Sequence, residues 1–161
     1  MKTQIEFMLS GSEVSRYHTI HTLQRETVGH HSHGVAMICH ILDPECRKCV
    51  LQAALLHDLA EHVTGDIPSP AKREYGIGDQ VSSLEGRLLN SAGLSIPILS
   101  REEERMLKIA DLAQGALFSA REVQLGNTGM RVVFDRYISY AESMILVGRE
   151  RELFNILKGM V

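Results

Sequence analysis

The side chains of His57, Asp58 and Glu61 follow directly on a run of apolar helix formers in the segment "LQAALLHDLAEHVTGDIPSP" at residues 51–70. His57 and Asp58 are adjacent, and Glu61 is expected one helical turn beyond His57 on nearly the same face. A carboxylate among apolar side chains is costly unless it is paired or binds a metal. The pattern therefore predicts a compensating partner for these charges, and a metal ion is the partner that would also bring chemistry.

Two other segments place ligand-type residues where packing disfavours them. Asp111 lies within the apolar stretch "MLKIADLAQGALF", and the segment "GHHSHG" opens a predicted helix with three histidines, His30, His31 and His33. If these helices pack together, one histidine, the His57–Asp58 pair and Asp111 converge on one divalent cation. Mixed imidazole and carboxylate ligation suits Zn, Mn, Fe or Co and leaves positions open for water.

The elements that must position these residues are predicted to be helices, because helical periodicity dominates and strand alternation is nearly absent. We predict an all-α fold, a single domain over residues 1–161 with about six helices. Asp43 and Pro44 are typical of a helix start, and Ser100 with Glu103 forms a capping-box pattern. The predicted helices cover about residues 3–15, 30–42, 44–64, 79–91 and 101–124, followed by two segments that break near Gly148, and residues 64–78 are predicted to be a loop.

Composition limits the classes of function. A net charge of -3 argues against a nucleic-acid polymer as partner. No segment has the length of apolar sequence that a membrane helix needs, and the N-terminus lacks a signal-peptide core, so we expect a cytoplasmic protein (host cytoplasm if viral). The pair Cys46 and Cys49 lies inside a predicted helix with no second pair, and we interpret these cysteines as small buried apolar residues rather than a zinc or redox site.

An early histidine, an adjacent His–Asp pair and a distant aspartate resemble the signature of the HD-domain metal-dependent phosphohydrolases. Within that family, the segments "HHSHGVA", "LLHDLAEHVTGDIPSPAK" and "KIAD" are most similar to bacterial 5'-deoxynucleotidases and short viral dATP triphosphohydrolases. The resemblance covers roughly residues 1–125 and implies an HD-type helical bundle. It implies four metal ligands, His31, His57, Asp58 and Asp111, while spacing alone leaves His30 and His33 open as the first ligand.

The same resemblance implies roles for residues around the metal. Glu61 and Asp66 correspond to catalytic carboxylates. Tyr17 stands where the family has Trp after an Arg, which leaves the choice of base open. The implied phosphate contacts are Arg16, Lys72 and Lys108, and the implied base and sugar pocket consists of Tyr17, Ile20 and Pro70.

The implied activity is hydrolysis of a phosphoester of a deoxynucleotide, with Zn, Co or Mn as cofactor and Mg at the phosphates as a further candidate. We expect dATP, with dADP and dAMP, to be converted to deoxyadenosine. The alternatives are a 5'-deoxynucleotidase acting on monophosphates, a catalytically silent nucleotide-binding regulator and a structural zinc protein. Family members form homo-oligomers, and the amphipathic end "VGRERELFNILKGMV" is compatible with packing on a neighbouring subunit.

Overall fold

The computed structural model describes all residues 1–161 and confirms the predicted all-α fold. The only strand-like pairing is one antiparallel bridge between Ser15 and Thr27. No helix combines the length and apolar character needed to cross a membrane. The α-helices are α1 (Lys2–Ser12), α2 (Val28–Leu42), α3 (Lys48–Leu56), α4 (Glu61–Thr64), α5 (Ser69–Glu74), α6 (Gly78–Ser91), α7 (Arg101–Gln124), α8 (Arg131–Ser143) and α9 (Gly148–Lys158).

The central element is α7, a helix of 24 residues that packs against α2, α3, α8 and α9. Its predicted capping box is confirmed: Ser100 Oγ accepts from the Glu103 N–H, and the Glu103 carboxylate accepts from the Ser100 N–H at 2.7 Å. Small residues on α7 let its neighbours approach closely, and the main core contains 17 buried residues from these packed helices and from Leu146, between α8 and α9. This helix therefore fixes the position of every side chain that it contributes to a site.

A second, smaller apolar cluster forms beside the main core. Leu59, Ala60 and Leu89 are buried in it, with Phe7 of α1 packed against them. Gly11 of α1 contacts the backbone here so closely that a Cβ on it would lie 2.3 Å from the Leu59 carbonyl oxygen. This close approach holds α1 against the chain around residues 57–60.

The helix predicted over residues 44–64 is wrong as a single element. It ends at Leu56, and the chain turns before α4 begins at Glu61. In this turn the backbone hydrogen bonds join residues three apart instead of four. The Leu59 N–H donates to Leu56 O, and the Glu61 N–H donates to Asp58 O. These i→i−3 bonds rotate the chain relative to an α-helix, so Glu61 does not follow His57 on one helix face as the sequence predicts.

The predicted start of that helix at Asp43 and Pro44 is also wrong, since α3 begins at Lys48. The Asp43 N–H still bonds to Cys39 O at the end of α2, and the Asp43 carboxylate accepts from the Glu45 N–H at 3.0 Å. Asp43 therefore forms a turn with its own side chain rather than a helix cap.

The loop predicted over residues 64–78 contains α5, so the chain has nine α-helices where about six were expected. Pro70 is accommodated at the first turn of α5, where its missing N–H is not needed. The predicted break before α9 is confirmed at residues 144–147.

Candidate metal centre

Four side chains from three distant parts of the chain form one group, which we call the metal cluster: His31 on α2, His57 and Asp58 after α3, and Asp111 on α7. His31 Nε2 lies 3.3 Å from His57 Nε2, 3.5 Å from Asp58 Oδ2 and 3.3 Å from Asp111 Oδ1. His57 Nε2 is 3.4 Å from Asp58 Oδ2. The ligand atoms of His31, His57 and Asp58 are close enough to one another for one cation to contact all three, and Asp111 as the fourth ligand stays a prediction.

The hydrogen bonds of the two imidazoles fit a cation between them. His57 Nδ1 donates to the Ala54 carbonyl oxygen at 2.8 Å, and His31 Nδ1 donates to Gln114 Oε1. In the neutral rings both Nε2 atoms are therefore acceptors. That of His31 faces His57, Asp58 and Asp111, and that of His57 faces His31 and Asp58. Acceptors in this arrangement repel one another unless positive charge lies among them, and two imidazoles with two carboxylates are a donor set that suits zinc and related metals.

A buried polar network contacts His31 on its Nδ1 side, away from the other residues of the metal cluster. Gln114 Nε2 donates to Glu26 Oε1 at 2.7 Å, which turns Gln114 Oε1 towards His31. Arg16 lies between two carboxylates. Its Nε atom is 3.3 Å from Glu26 Oε2, and its Nη1 atom is 2.7 Å from Asp58 Oδ2. A partner on the far nitrogen sets the tautomer and orientation of a histidine ligand, so this network prepares His31 Nε2 to bind metal.

Glu61 lies beside the metal cluster and is only 3% exposed. Its Oε2 atom is buried and has no hydrogen-bond partner within the chain. Burial, together with repulsion from Asp58 and Asp66, raises the pKa of Glu61 to about 9. A desolvated carboxyl next to a metal site is typical of a general acid or base.

The two carboxyls of the metal cluster, Asp58 and Asp111, have lowered pKa values, whereas the pKa of Glu61 is raised. Burial raises the pKa of Asp58, but His57 and Arg16 outweigh it and lower the pKa below its ordinary value. The pKa of Asp111 also falls well below its ordinary value, because His31 and Lys108 outweigh the effect of burial. Both groups are therefore carboxylates at neutral pH, as metal ligands must be.

The cations predicted to contact phosphate all have carboxylate partners in the structure. Lys108 Nζ donates to Asp111 Oδ2 at 2.7 Å, and 41% of the Lys108 side chain is exposed. Lys72 Nζ is 3.9 Å from Glu85 Oε1. Arg16 and Lys108 thus adjoin the metal cluster directly, whereas Lys72 is held by α6.

Tyr17 occupies an unusual backbone conformation, with φ 57°. Its N–H donates to Asp66 Oδ2 at 3.2 Å, its ring stacks on Phe118 with centroids 5.0 Å apart, and its hydroxyl lies 3.0 Å from that of Tyr137. A positive φ is strained for an aromatic residue and needs support from its surroundings. Asp66 therefore positions the backbone of Tyr17, in addition to the catalytic role predicted for it.

The remaining candidates lie towards the surface. His30 and His33 are exposed on α2, whereas His31 is fully buried, so only His31 of the three lies in the metal cluster. Ile20 is 40% exposed in the loop after α1, and Pro70 is exposed on α5. The place of Ile20 and Pro70 in a base pocket stays a prediction.

Sequence reasoning missed Gln114, Glu26 and Tyr137. Gln114 had a usable signal, because it follows Asp111 by three residues on the same helix face within an apolar run. Glu26 and Tyr137 gave none: one is a charged residue in a polar loop, and the other belongs to an ordinary amphipathic helix. Their roles depend on contacts between segments far apart in the sequence.

An all-α bundle with an early histidine, a His–Asp pair and a distant aspartate around one point defines the class of HD-domain phosphohydrolases. The family model described as 5'-deoxynucleotidase YfbR-like matches residues 7–97, more than half of the chain. The chain therefore belongs to the YfbR-like family of HD-domain deoxynucleotide phosphohydrolases.

Similar proteins carry related names. The 5'-deoxynucleotidase YfbR of Salmonella typhi is 26% identical over 149 residues, covering 76% of this chain and 74% of that protein. The dATP triphosphohydrolase of cyanophage S-2L is 27% identical over 116 residues, covering 68% of this chain and 66% of that protein. In structure, the cyanophage S-2L HD phosphohydrolase DatZ, bound to dA and one catalytic Zn²⁺ ion, superposes with a TM-score of 0.63 at 18% identity, over 94% of this chain and 91% of that one.

Proposed function

We propose that this chain is a metal-dependent hydrolase of dATP, with dADP and dAMP as further substrates, that yields deoxyadenosine and lowers the dATP pool. The observation that carries the proposal is the metal cluster with the buried Glu61 carboxyl beside it. A relative named dATP triphosphohydrolase and a structural neighbour with bound dA support the choice of base.

The proposed reaction is attack of water on the α-phosphorus. A divalent transition metal held by His31, His57, Asp58 and Asp111 would polarise the phosphate and acidify a water. The new P–O bond forms as the P–O5' bond breaks, and O5' takes a proton, which gives deoxyadenosine and triphosphate. We assign proton transfer to Glu61.

The neighbouring cations stabilise the charge of the substrate and of the transition state. Arg16 and Lys108 adjoin the metal cluster, so each can turn a donor towards a phosphate oxygen. We assign Lys72 the same role from α5. Tyr17, Ile20 and Pro70 are proposed to enclose the sugar and the base.

A second candidate function is a 5'-deoxynucleotidase that acts on several deoxynucleoside monophosphates. The match of residues 7–97 to the YfbR-like family favours it. Both candidates use the same metal cluster and differ in the number of phosphates that the substrate carries. For either activity we propose a homo-oligomer in the cytoplasm.

The two candidates separate when the metal-loaded protein is offered each dNTP and each dNMP and the products are resolved by chromatography. Preferential loss of dATP with the appearance of deoxyadenosine supports the first candidate. Turnover of several dNMPs with all dNTPs intact supports the second. No hydrolysis with zinc, cobalt or manganese overturns both.

A further inference from the structure

Two arginines without a carboxylate partner line the same surface groove. Arg73 extends from α5 and Arg136 from α8, and neither forms an ion pair or a side-chain hydrogen bond in the structure. The groove has a volume of about 490 Å³. Asp135 also lines it, but its carboxylate already accepts from Arg131 at 3.0 Å. The groove therefore carries uncompensated positive charge.

The ring of Tyr140 connects this groove to the metal cluster. The Arg73 guanidinium carbon lies 5.8 Å from the centre of the ring, and Lys108 Nζ lies 5.7 Å from the same point. Lys108 in turn donates to Asp111 of the metal cluster. A cation over an aromatic face keeps its outer N–H groups free, so Arg73 remains available to an anion that extends from the metal cluster.

We propose that this groove binds the β- and γ-phosphates of a deoxynucleoside triphosphate whose α-phosphate lies at the metal cluster. Guanidinium groups bind phosphate through paired N–H donors, and Arg73 and Arg136 bring two of them to one groove. A monophosphate does not extend beyond the metal cluster, so Arg73 and Arg136 select for triphosphates. The inference rests on the proposed hydrolase and assigns the β- and γ-phosphates of its substrate to Arg73 and Arg136.

The test measures nucleotide binding without turnover. In zinc-loaded Glu61→Gln protein, the dissociation constants of dATP and dAMP are compared by calorimetry before and after the double change Arg73→Gln and Arg136→Gln. We expect about tenfold weaker dATP binding or more, with dAMP within about twofold and one dATP bound per chain. Arg101→Gln, which removes an exposed arginine outside the groove, serves as the matched control.

Equal weakening of dATP and dAMP, unchanged dATP binding, two dATP per chain or no nucleotide binding at all would each overturn the inference. Failure of the proposed function gives a different result. In that case the wild-type protein releases no deoxyadenosine from either nucleotide, while the arginine-dependent preference for dATP persists. Because both arginines are exposed, an unchanged melting temperature of the double variant shows that the fold is intact.

Discussion

His31 depends on residues that carry no chemistry themselves. In the neutral ring, its Nε2 atom is an acceptor only while Nδ1 carries the proton, and Gln114 Oε1 accepts that proton in a hydrogen bond. Glu26 in turn orients the Gln114 amide. The tautomer of His31 is thus set by Gln114 and, through Gln114, by Glu26. All three side chains are almost fully buried.

Replacing Gln114 by Leu is therefore expected to weaken zinc binding by about 10- to 100-fold, because the His31 proton loses its acceptor. Competition with a chromophoric chelator measures the affinity. Gln124→Leu, on the same helix but bonded to Met160 O, is the matched control and is expected to leave zinc affinity unchanged. Equal zinc affinity in the Gln114 variant and the wild type would contradict the role of the network.

Residue types in their local context predicted three of the four side chains of the metal cluster. His57, Asp58 and Asp111 were visible because charge within an apolar helix is costly and needs a reason. The choice of His31 over His30 and His33 was not available from spacing, since it depends on which histidine α2 turns towards α7. Burial decides it, and burial is a property of the packed helices.

At the level of elements, α7 and α8 show how close packing supports the site. A Cβ on Gly115 would lie 2.4 Å from Tyr137 Cζ, so the absence of a side chain lets the Tyr137 ring lie against α7. The Tyr137 hydroxyl then meets that of Tyr17. The break after Leu56 was not predictable, because the local sequence favours a continuous helix. The i→i−3 turn instead packs Leu59 against Gly11 of α1 and carries His57 and Asp58.

Gly115→Ala is expected to lower the free energy of unfolding by about 1–3 kcal/mol, since the ring has to move. Gly86→Ala is the matched control: it lies within α6 and a Cβ there meets nothing within 4 Å. That change is expected to raise stability by about 0.5–1 kcal/mol. Urea denaturation measures both, and a Gly115 variant as stable as the wild type would contradict the close approach.

Glu122 at the end of α7 holds the loop that carries Arg16 and Tyr17. Its buried carboxylate accepts from the Leu23 and Gln24 N–H groups at 2.7 and 2.8 Å and from Asn127 Nδ2. Burial raises the pKa of Glu122, but these hydrogen bonds outweigh it and hold the pKa below its ordinary value. The ionised form is therefore the one that the fold stabilises.

Glu122→Gln is expected to lower the free energy of unfolding by about 1.5–3 kcal/mol at pH 7, because the donors lose a charged acceptor. A folded pKa below the unfolded value of about 4.3 gives stability that is present above that pH and is lost as the pH falls through the folded pKa. Urea denaturation between pH 7 and pH 3 is expected to show the difference between variant and wild type shrinking below about pH 4. A difference independent of pH would contradict this account.

For the whole molecule, the metal cluster joins segments that are far apart in the chain. His31 comes from α2, His57 and Asp58 follow α3, and Asp111 comes from α7. The all-α class was predictable because helical periodicity runs along the whole chain. The arrangement of the helices was not, since it depends on contacts such as α7 against α8 that no local pattern encodes.

A metal that binds the folded chain and not the unfolded chain is expected to raise the free energy of unfolding of the whole molecule. At a free zinc concentration 100 times the dissociation constant, the gain is about 2.7 kcal/mol, or about 5–10 °C in melting temperature for a chain of this size. Thermal unfolding with zinc and with a chelator measures the shift. Asp111→Ala is expected to show little or none of it, and an equal shift in that variant would place the bound zinc elsewhere.

The central claim is that the metal cluster binds the metal and that Glu61 uses it for hydrolysis. The most direct test measures bound metal and deoxyadenosine release from dATP together in Asp58→Ala and Glu61→Gln proteins. We predict that Asp58→Ala loses both, whereas Glu61→Gln keeps one metal per chain and loses deoxyadenosine release. An Asp58→Ala protein that retains metal and turnover would contradict the account.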